Sequence, residues 1–198
     1  MTQLRGTARE LSILGVVREI LNEVGYERLT VDAVVTRAKA SKATIYRKWP
    51  DKATLVAAAF DARAEELPPL PLGGETLRED LLAFVGMCVS LAETETLTSF
   101  VSVLIAAEEE PVLASAVRDT ALAPRRADCD QLVRRAAQRG EIADDASAAD
   151  LFELVMGKIL VRYVLEHRPL DVRQQRSFVD DVLTPALLRR PRPAETPR

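Results

Sequence analysis

The sequence predicts an all-α protein in two parts, and three observations carry that reading. Apolar residues recur at steps of three and four along most of the 198-residue chain, the period of a helix with one buried face. Aromatic residues make up only 5% of the chain, and the alternation of β-branched residues that marks a half-buried strand is hard to find. Between Leu67 and Gly74 the chain places Pro68, Pro69, Pro71, Gly73 and Gly74, a density at which no helix continues. The expected layout is a first domain over 1–66 with three to four helices, a linker over 67–74, a second helical domain over 75–190 and a disordered, proline-rich tail over 191–198.

Composition excludes several classes at the outset. Hydrophobic residues at 47% and charged residues at 29% describe an ordinary globular chain, large enough to bury a core without metal or disulfide staples. Cys88 and Cys129 stand apart with no ligand spacing, and His167 is the sole histidine, so no metal site of the common zinc types can be assembled and no cofactor is expected. Both thiols read as core fillers. Met1 to Glu10 shows no apolar stretch beside a basic flank, which leads to a cytoplasmic expectation. The most apolar segment, Leu151 to Leu165, contains Glu153, Lys158 and Arg162 and is shorter than the ~18 to 20 residues that span a bilayer. Nucleophile elbow, phosphate loop, paired catalytic carboxylates and histidine relay are all missing, which argues against an enzyme. Glu108 to Glu110 and Asp144-Asp145 read as solvated helix ends.

Charge is unevenly placed. The net charge is −3, yet residues 1–60 hold ten basic against six acidic side chains. Every lysine except Lys158 falls in this stretch, and three of the five lie between Lys42 and Lys52. A small basic module on an acidic body is the footprint of contact with a polyanion.

The elements of the first part follow in order. Leu14, Val17, Leu21 and Val24 predict a helix from about Thr7 to Val24, stopped by Gly25. Thr30 caps a short second helix whose inner face is Val31, Val34, Val35 and Ala38. Lys39 and Ala40 turn the chain into Ser41, the cap of a third helix reaching about Trp49. Ile45 and Trp49 face inward on it, leaving Lys42, Ala43, Tyr46 and Arg47 outside. Pro50 ends that helix, and Asp51 caps a fourth running to about Glu66. Helices so short are marginal alone and must pack together, and two of them joined by a tight turn over 29–48 form a helix-turn-helix.

At these residues the chain resembles the TetR family of regulators. The resemblance spans about Ala8 to Phe60 and is densest at Glu23 to Tyr26, Leu29 to Val31 and Ser41 to Arg47, with Trp49 and Lys52 completing the pattern. It implies a homodimer that binds double-stranded operator DNA, with a helical effector-binding and dimerisation domain behind the DNA-binding one. By the same resemblance Lys42, Ala43 and Arg47 face base edges. Thr30, Thr44, Tyr46, Lys48 and Lys52 hold phosphates, and Ser41 is counted with them as the cap of the reading helix. Solvated surface charge is the alternative for Lys48 and Lys52, and plain packing for Tyr46. Three positions depart from the pattern. Lys39 replaces a turn glycine, so that a left-handed backbone there would cost about 1 kcal/mol, Ala43 replaces another glycine, and Trp49-Pro50 replaces a pair led by phenylalanine.

In the second part Thr76 and Glu79 form a capping box opening a helix to about Ala92. Further helices are expected to about Glu109, from Pro111 to about Gly140 with a break at Pro124, over 146–166 and over 172–189. Phe84, Met87, Leu91, Phe100, Leu104, Met156 and Tyr163 recur on helices expected to converge, as the wall of a pocket for a small apolar effector or as plain core. The helix from Leu151 is apolar on nearly every side and the last helix carries a paired stripe. Leu151, Val155, Ile159, Phe178, Val179, Val182, Leu183, Ala186 and Leu187 are therefore assigned to a dimer interface, with a purely intramolecular core as the alternative.

Overall fold

The computed structural model describes residues 8–66, 70, 72–94 and 97–188. The expected tail, the last residue of the final expected helix, the first seven residues and half of the linker lie outside them. All regular structure among the described residues is helical.

The helices are α1 (Ala8–Arg28), α2 (Val31–Ala38), α3 (Lys42–Lys48), α4 (Lys52–Glu66), α5 (Leu77–Thr94), α6 (Leu97–Ala106), α7 (Pro111–Ala116), α8 (Ala123–Gln138), α9 (Ala148–Leu160), α10 (Val172–Phe178) and α11 (Thr184–Leu188). Wide turns with i→i+5 bonding follow α7, α9 and α10 at Val117–Leu122, Val161–Leu165 and Val179–Leu183. For two of them the cause is local. Pro124 and Pro185 have no N–H to give and would collide with the carbonyl four residues back in a regular helix. In each case the amide just before the proline bonds five residues back, Ala123 to Arg118 and Thr184 to Val179, and the widened turn absorbs the ring. The break expected at Pro124 is thus a change of winding.

The caps appear where the sequence placed them. Thr30 accepts from the Ala33 amide at 3.2 Å, Ser41 from Thr44 at 3.1 Å and Asp51 from Thr54 at 2.7 Å. Thr76 and Glu79 exchange bonds across the start of α5. Gly25 takes φ 75°, ψ 174°, kinking α1, and the helix then runs one further turn to Arg28. The Ser102 hydroxyl of α6 accepts from the Tyr26 amide at the kink, and a Cβ on Gly25 would stand 3.4 Å from that oxygen.

By its contacts the chain divides into two compact units, residues up to Pro68 with Glu95–Ala123, and Pro69–Thr94 with Pro124–Arg198. The first unit therefore holds α6 and α7 as well as α1 to α4, where the sequence reading drew the boundary at the linker alone. Its core joins Ile13, Val17 and Ile20 of α1 to Val34, Ile45, Trp49 and Leu55, and is closed by Val103 and Leu113. In the second unit α5 packs with α9, α10 and the wide turn before α11. Asp80, fully buried there, accepts from the Gly74 amide at 3.1 Å and from Arg139 at 3.1 Å, with Arg135 at 3.6 Å. Gly74 can approach so closely only without a side chain, because a Cβ would lie 2.9 Å from that carboxylate and 2.8 Å from the Cβ of Glu79. Among the described residues no helix is long and apolar enough to cross a membrane.

Candidate nucleic-acid interface

The reading helix is built from its turn outward. Lys39 adopts φ 50°, ψ 43°, the left-handed conformation that ends α2. Its amide bonds to Thr36 and that of Ala40 to Val35, so these two carbonyls are satisfied within the turn. A lysine here carries the Cβ penalty a glycine would avoid, about 1 kcal/mol. Ser41 then starts α3, its hydroxyl 2.8 Å from that of Thr44.

Inward and outward faces of α3 divide as the periodicity predicted. Ile45 and Trp49 are buried, while Lys42, Ala43, Tyr46, Arg47 and Lys48 are exposed. Thr30 and Ser41 are exposed at the caps, and Thr44 and Lys52 are half-buried. An exposed row of cations with one small residue among them, backed by a packed core, has the shape and charge to enter a major groove about 12 Å wide.

The cations are individually placed. Lys42 Nζ lies 2.6 Å from Asp32 of α2, and this hydrogen bond holds the ammonium pKa above its ordinary value. Lys48 lies 3.0 Å from Glu10 of α1. Lys52 stands 4.1 Å over the Tyr26 ring and donates to the Tyr26 carbonyl at 3.2 Å, which ties the start of α4 to the end of α1. The Tyr26 phenol is pushed up to about 12, first by burial. Arg47 makes no ion pair or side-chain hydrogen bond among the described residues, which leaves its guanidinium fork open. Behind the face, Arg37 of α2 grips Glu23 of α1 through two bonds of 2.6 and 2.8 Å, and that bonding lowers the Glu23 pKa.

Sequence reasoning named the cations and missed their partners. Asp32 and Glu10 stand ten and thirty-eight residues from the lysines they hold, outside any helical spacing. Arg9 was also missed. Its Nη2 donates to the carbonyls of Ala38 at 2.9 Å and Lys39 at 2.7 Å.

The residues read as pocket or core separate between the units. Phe100 and Leu104 pack on the first unit's core, Phe100 with its ring 6.1 Å from that of Phe60. Phe84 is wholly buried in the second unit, and Met87, Leu91, Met156 and Tyr163 are half-buried there. The Met87 sulfur receives Arg125 at 3.0 Å, and the Tyr163 hydroxyl accepts from the Leu170 amide and donates to Glu93, both at 3.3 Å.

The residues assigned to an interface divide by burial. Leu151, Val155, Ile159, Phe178, Val179, Leu183 and Leu187 are buried inside their own chain, while Val182 is exposed and Ala186 half-buried. The exposed large hydrophobics of these helices are Leu154, Val161, Leu165, Val172, Val182 and Leu188. A shallow groove runs between Leu154 and Ala186, floored by Leu151 and Leu183.

Fold and cationic face together define a helix-turn-helix DNA-binding protein, and comparison with known proteins gives the family. Residues 13–59 match the bacterial regulatory proteins of the tetR family, and residues 73–182 the tetracyclin repressor-like C-terminal domain. The chain belongs to the TetR family of transcriptional regulators, which are DNA-binding proteins and not enzymes. It is 36% identical over 181 residues to an HTH-type transcriptional regulator of Mycobacterium bovis, covering 91% of this chain and 89% of the relative. To the DNA-binding transcriptional repressor TetR of Mycobacteroides abscessus it is 33% identical over 179 residues, covering 90% and 94%. Among solved structures, GusR of Salmonella enterica superposes with a TM-score of 0.74 at 16% identity, covering 93% of this chain and 98% of that one. FadR of Bacillus subtilis, solved with stearoyl-CoA, gives 0.67 at 18%, covering 89% and 97%.

Proposed function

We propose that this regulator is a repressor that binds an inverted-repeat operator as a homodimer and is released by a small, largely apolar ligand. The observation that carries the DNA half is the exposed face of α3, where Arg47 is open and Lys42 and Lys48 are held at fixed positions by carboxylates of neighbouring helices. Lys42, Ala43 and Arg47 read base edges, while Thr30, Ser41, Thr44, Tyr46, Lys48 and Lys52 hold the backbone. Lys52 does so from its seat on Tyr26. The ion pairs at Lys42 and Lys48 exchange a carboxylate for DNA on binding, which favours a duplex that reproduces their spacing.

Pairing of two chains rests on the exposed stripe of Leu154, Val161, Val182 and Leu188, with Ala186 in the groove beside it. Two reading helices in such a dimer must stand about one DNA turn apart, ~34 Å. A ligand that favours another spacing lowers affinity without touching DNA, provided it binds the two arrangements unequally. Its wall is drawn from Met87, Leu91, Met156 and Tyr163 on helices of the second unit that pack together. That FadR, a chain of this fold, was solved with stearoyl-CoA, whose acyl chain is apolar, supports a ligand with an apolar part.

Selection from random duplexes at moderate salt tests the first half, and a palindrome is the expected product. Binding confined to very low salt, with no enriched sequence, contradicts operator recognition, since counterion release alone then accounts for the affinity. For the second half, apolar compounds found by thermal shift are titrated with and without the enriched duplex. Reciprocity requires each to be weakened by the other by the same factor. Equal ligand affinity in both titrations rules out release.

A further inference from the structure

The first turn of α1 touches α3 and its turn at both ends through two adjacent residues of opposite charge. Arg9 spans the carbonyls of Ala38 and Lys39, just before α3 begins, and Glu10 holds Lys48 at its last residue. The carbonyls of Ala38 and Lys39 lie at the C-terminal end of α2, where backbone acceptors lack helical partners and the helix dipole favours a cation. They also frame Lys39, the left-handed residue whose Cβ disfavours the conformation it adopts.

We propose that Arg9 is a positioning residue for DNA recognition: it clasps the strained turn and so fixes the angle at which α3 is presented. The inference rests on the DNA-binding reading of α3. It assigns Arg9 no contact with DNA. The left-handed turn competes with other local conformations because Lys39 is not glycine, and two hydrogen bonds from one guanidinium nitrogen select the observed one. Ordering α3 before it meets the groove saves the duplex from doing so, which raises operator affinity. Glu10 adds a second tether at the far end of the same helix in the free protein, one that Lys48 releases when it meets the DNA backbone.

A clasp of this kind predicts a rescue that neither a phosphate contact nor a general loss of stability would show. Arg9→Ala should weaken binding to the duplex enriched by the wild-type chain about fivefold, the scale of one typical net hydrogen bond. The salt dependence should be unchanged. Lys39→Gly should remove most of that loss, because glycine adopts the left-handed turn unaided. The Arg9→Ala, Lys39→Gly double variant is expected within twofold of Lys39→Gly alone. Amide hydrogen exchange gives a reading without DNA. In Arg9→Ala the Ala40 amide, bonded to Val35 at 3.1 Å, should exchange faster while the buried turns of α1 and α4 keep their protection. Wild-type affinity and unchanged Ala40 exchange in Arg9→Ala would overturn the proposal. So would an equal loss with and without the Lys39→Gly change, together with a salt slope shallower by about one, which assigns Arg9 to a phosphate. Exchange accelerated through α1 and α4 alike would make Arg9 a general support and overturn it too. If the wild-type chain enriches no duplex, the operator reading fails on its own evidence and the exchange experiment still decides the role of Arg9.

Discussion

Both units combine helix caps with an apolar core, and they differ in what else stitches them, a difference that decides what can be read from their sequences. In the first, polar side chains stitch α1 to α4 at their ends: Thr30, Ser41 and Asp51 cap, Arg37 grips Glu23, and Lys52 sits on Tyr26. In the second, helices of five to eighteen residues bury a carboxylate, Asp80, and two thiols, Cys88 and Cys129. Caps are local chemistry, bonding a side chain to an amide three residues on, so the sequence states them directly. A helix that is apolar on nearly every side carries no mark of which side its own chain covers.

The largest effect that could break this comparison comes from two adjacent residues. Leu183 is fully buried and Val182 is 40% exposed. Leu183→Asp buries an unpaired carboxylate and should cost several kcal/mol, enough to unfold the second unit. Val182→Asp should leave the thermal midpoint of a dilute sample nearly unchanged and shift light scattering from dimer to monomer. Dissociation without unfolding in Leu183→Asp would return the interface to the residues that the sequence pattern alone assigns to it.

A smaller effect sharpens the other side. Asp51→Ala removes the cap of α4 and should cost about 1 kcal/mol by urea denaturation. Asp51, Glu23 and Glu66 all sit below the ordinary carboxylate range, held there first by the Thr54 amide, Arg37 and Arg18 respectively. A carboxyl whose folded pKa is depressed contributes stability that is present above its unfolded value and lost as pH falls through the folded one. Lowering pH from 7 to 3 should therefore destabilise wild type, and Asp51→Ala should lose less over the same range. Equal losses would deny the cap its ionic part.

Smaller still is a difference in rate. Burial pushes the Cys88 and Cys129 thiols up to about 12, so neither should form thiolate at pH 8 while folded. A thiol reagent is expected to label both in urea and neither in buffer. Rapid native labelling would show that the second unit opens as readily as a surface loop.

Legibility follows the same division. The helices of the DNA-facing part were readable almost to the residue at their starts, and α3 divided its faces as Ile45 and Trp49 foretold. The placing of α6 and α7 on that part was not, because Val103 and Leu113 fill a core whose residues on α1 to α4 end at Ala59. The Arg9 clasp spans 29 and 30 residues and leaves no periodic trace. The widened turn before Pro124 falls where the sequence places a break, and the one before Pro185 falls inside an expected helix, because a wide turn lets a helix continue past a proline. For the last helices, composition showed that they are apolar and left open which side their own chain covers.

The central claim is that α3 reads sequence and that Arg47 is the open donor that does so. Affinities of wild type, Arg47→Ala and Lys48→Ala for the enriched duplex and for single-base variants of each half-site test it most directly. Arg47→Ala is expected to flatten discrimination at one position per half-site by ~1 to 3 kcal/mol, the worth of a bidentate base contact. Lys48→Ala should weaken every duplex alike. If Arg47→Ala loses affinity equally across all base variants, Arg47 belongs to the backbone contacts and the reading face assigned to α3 is wrong.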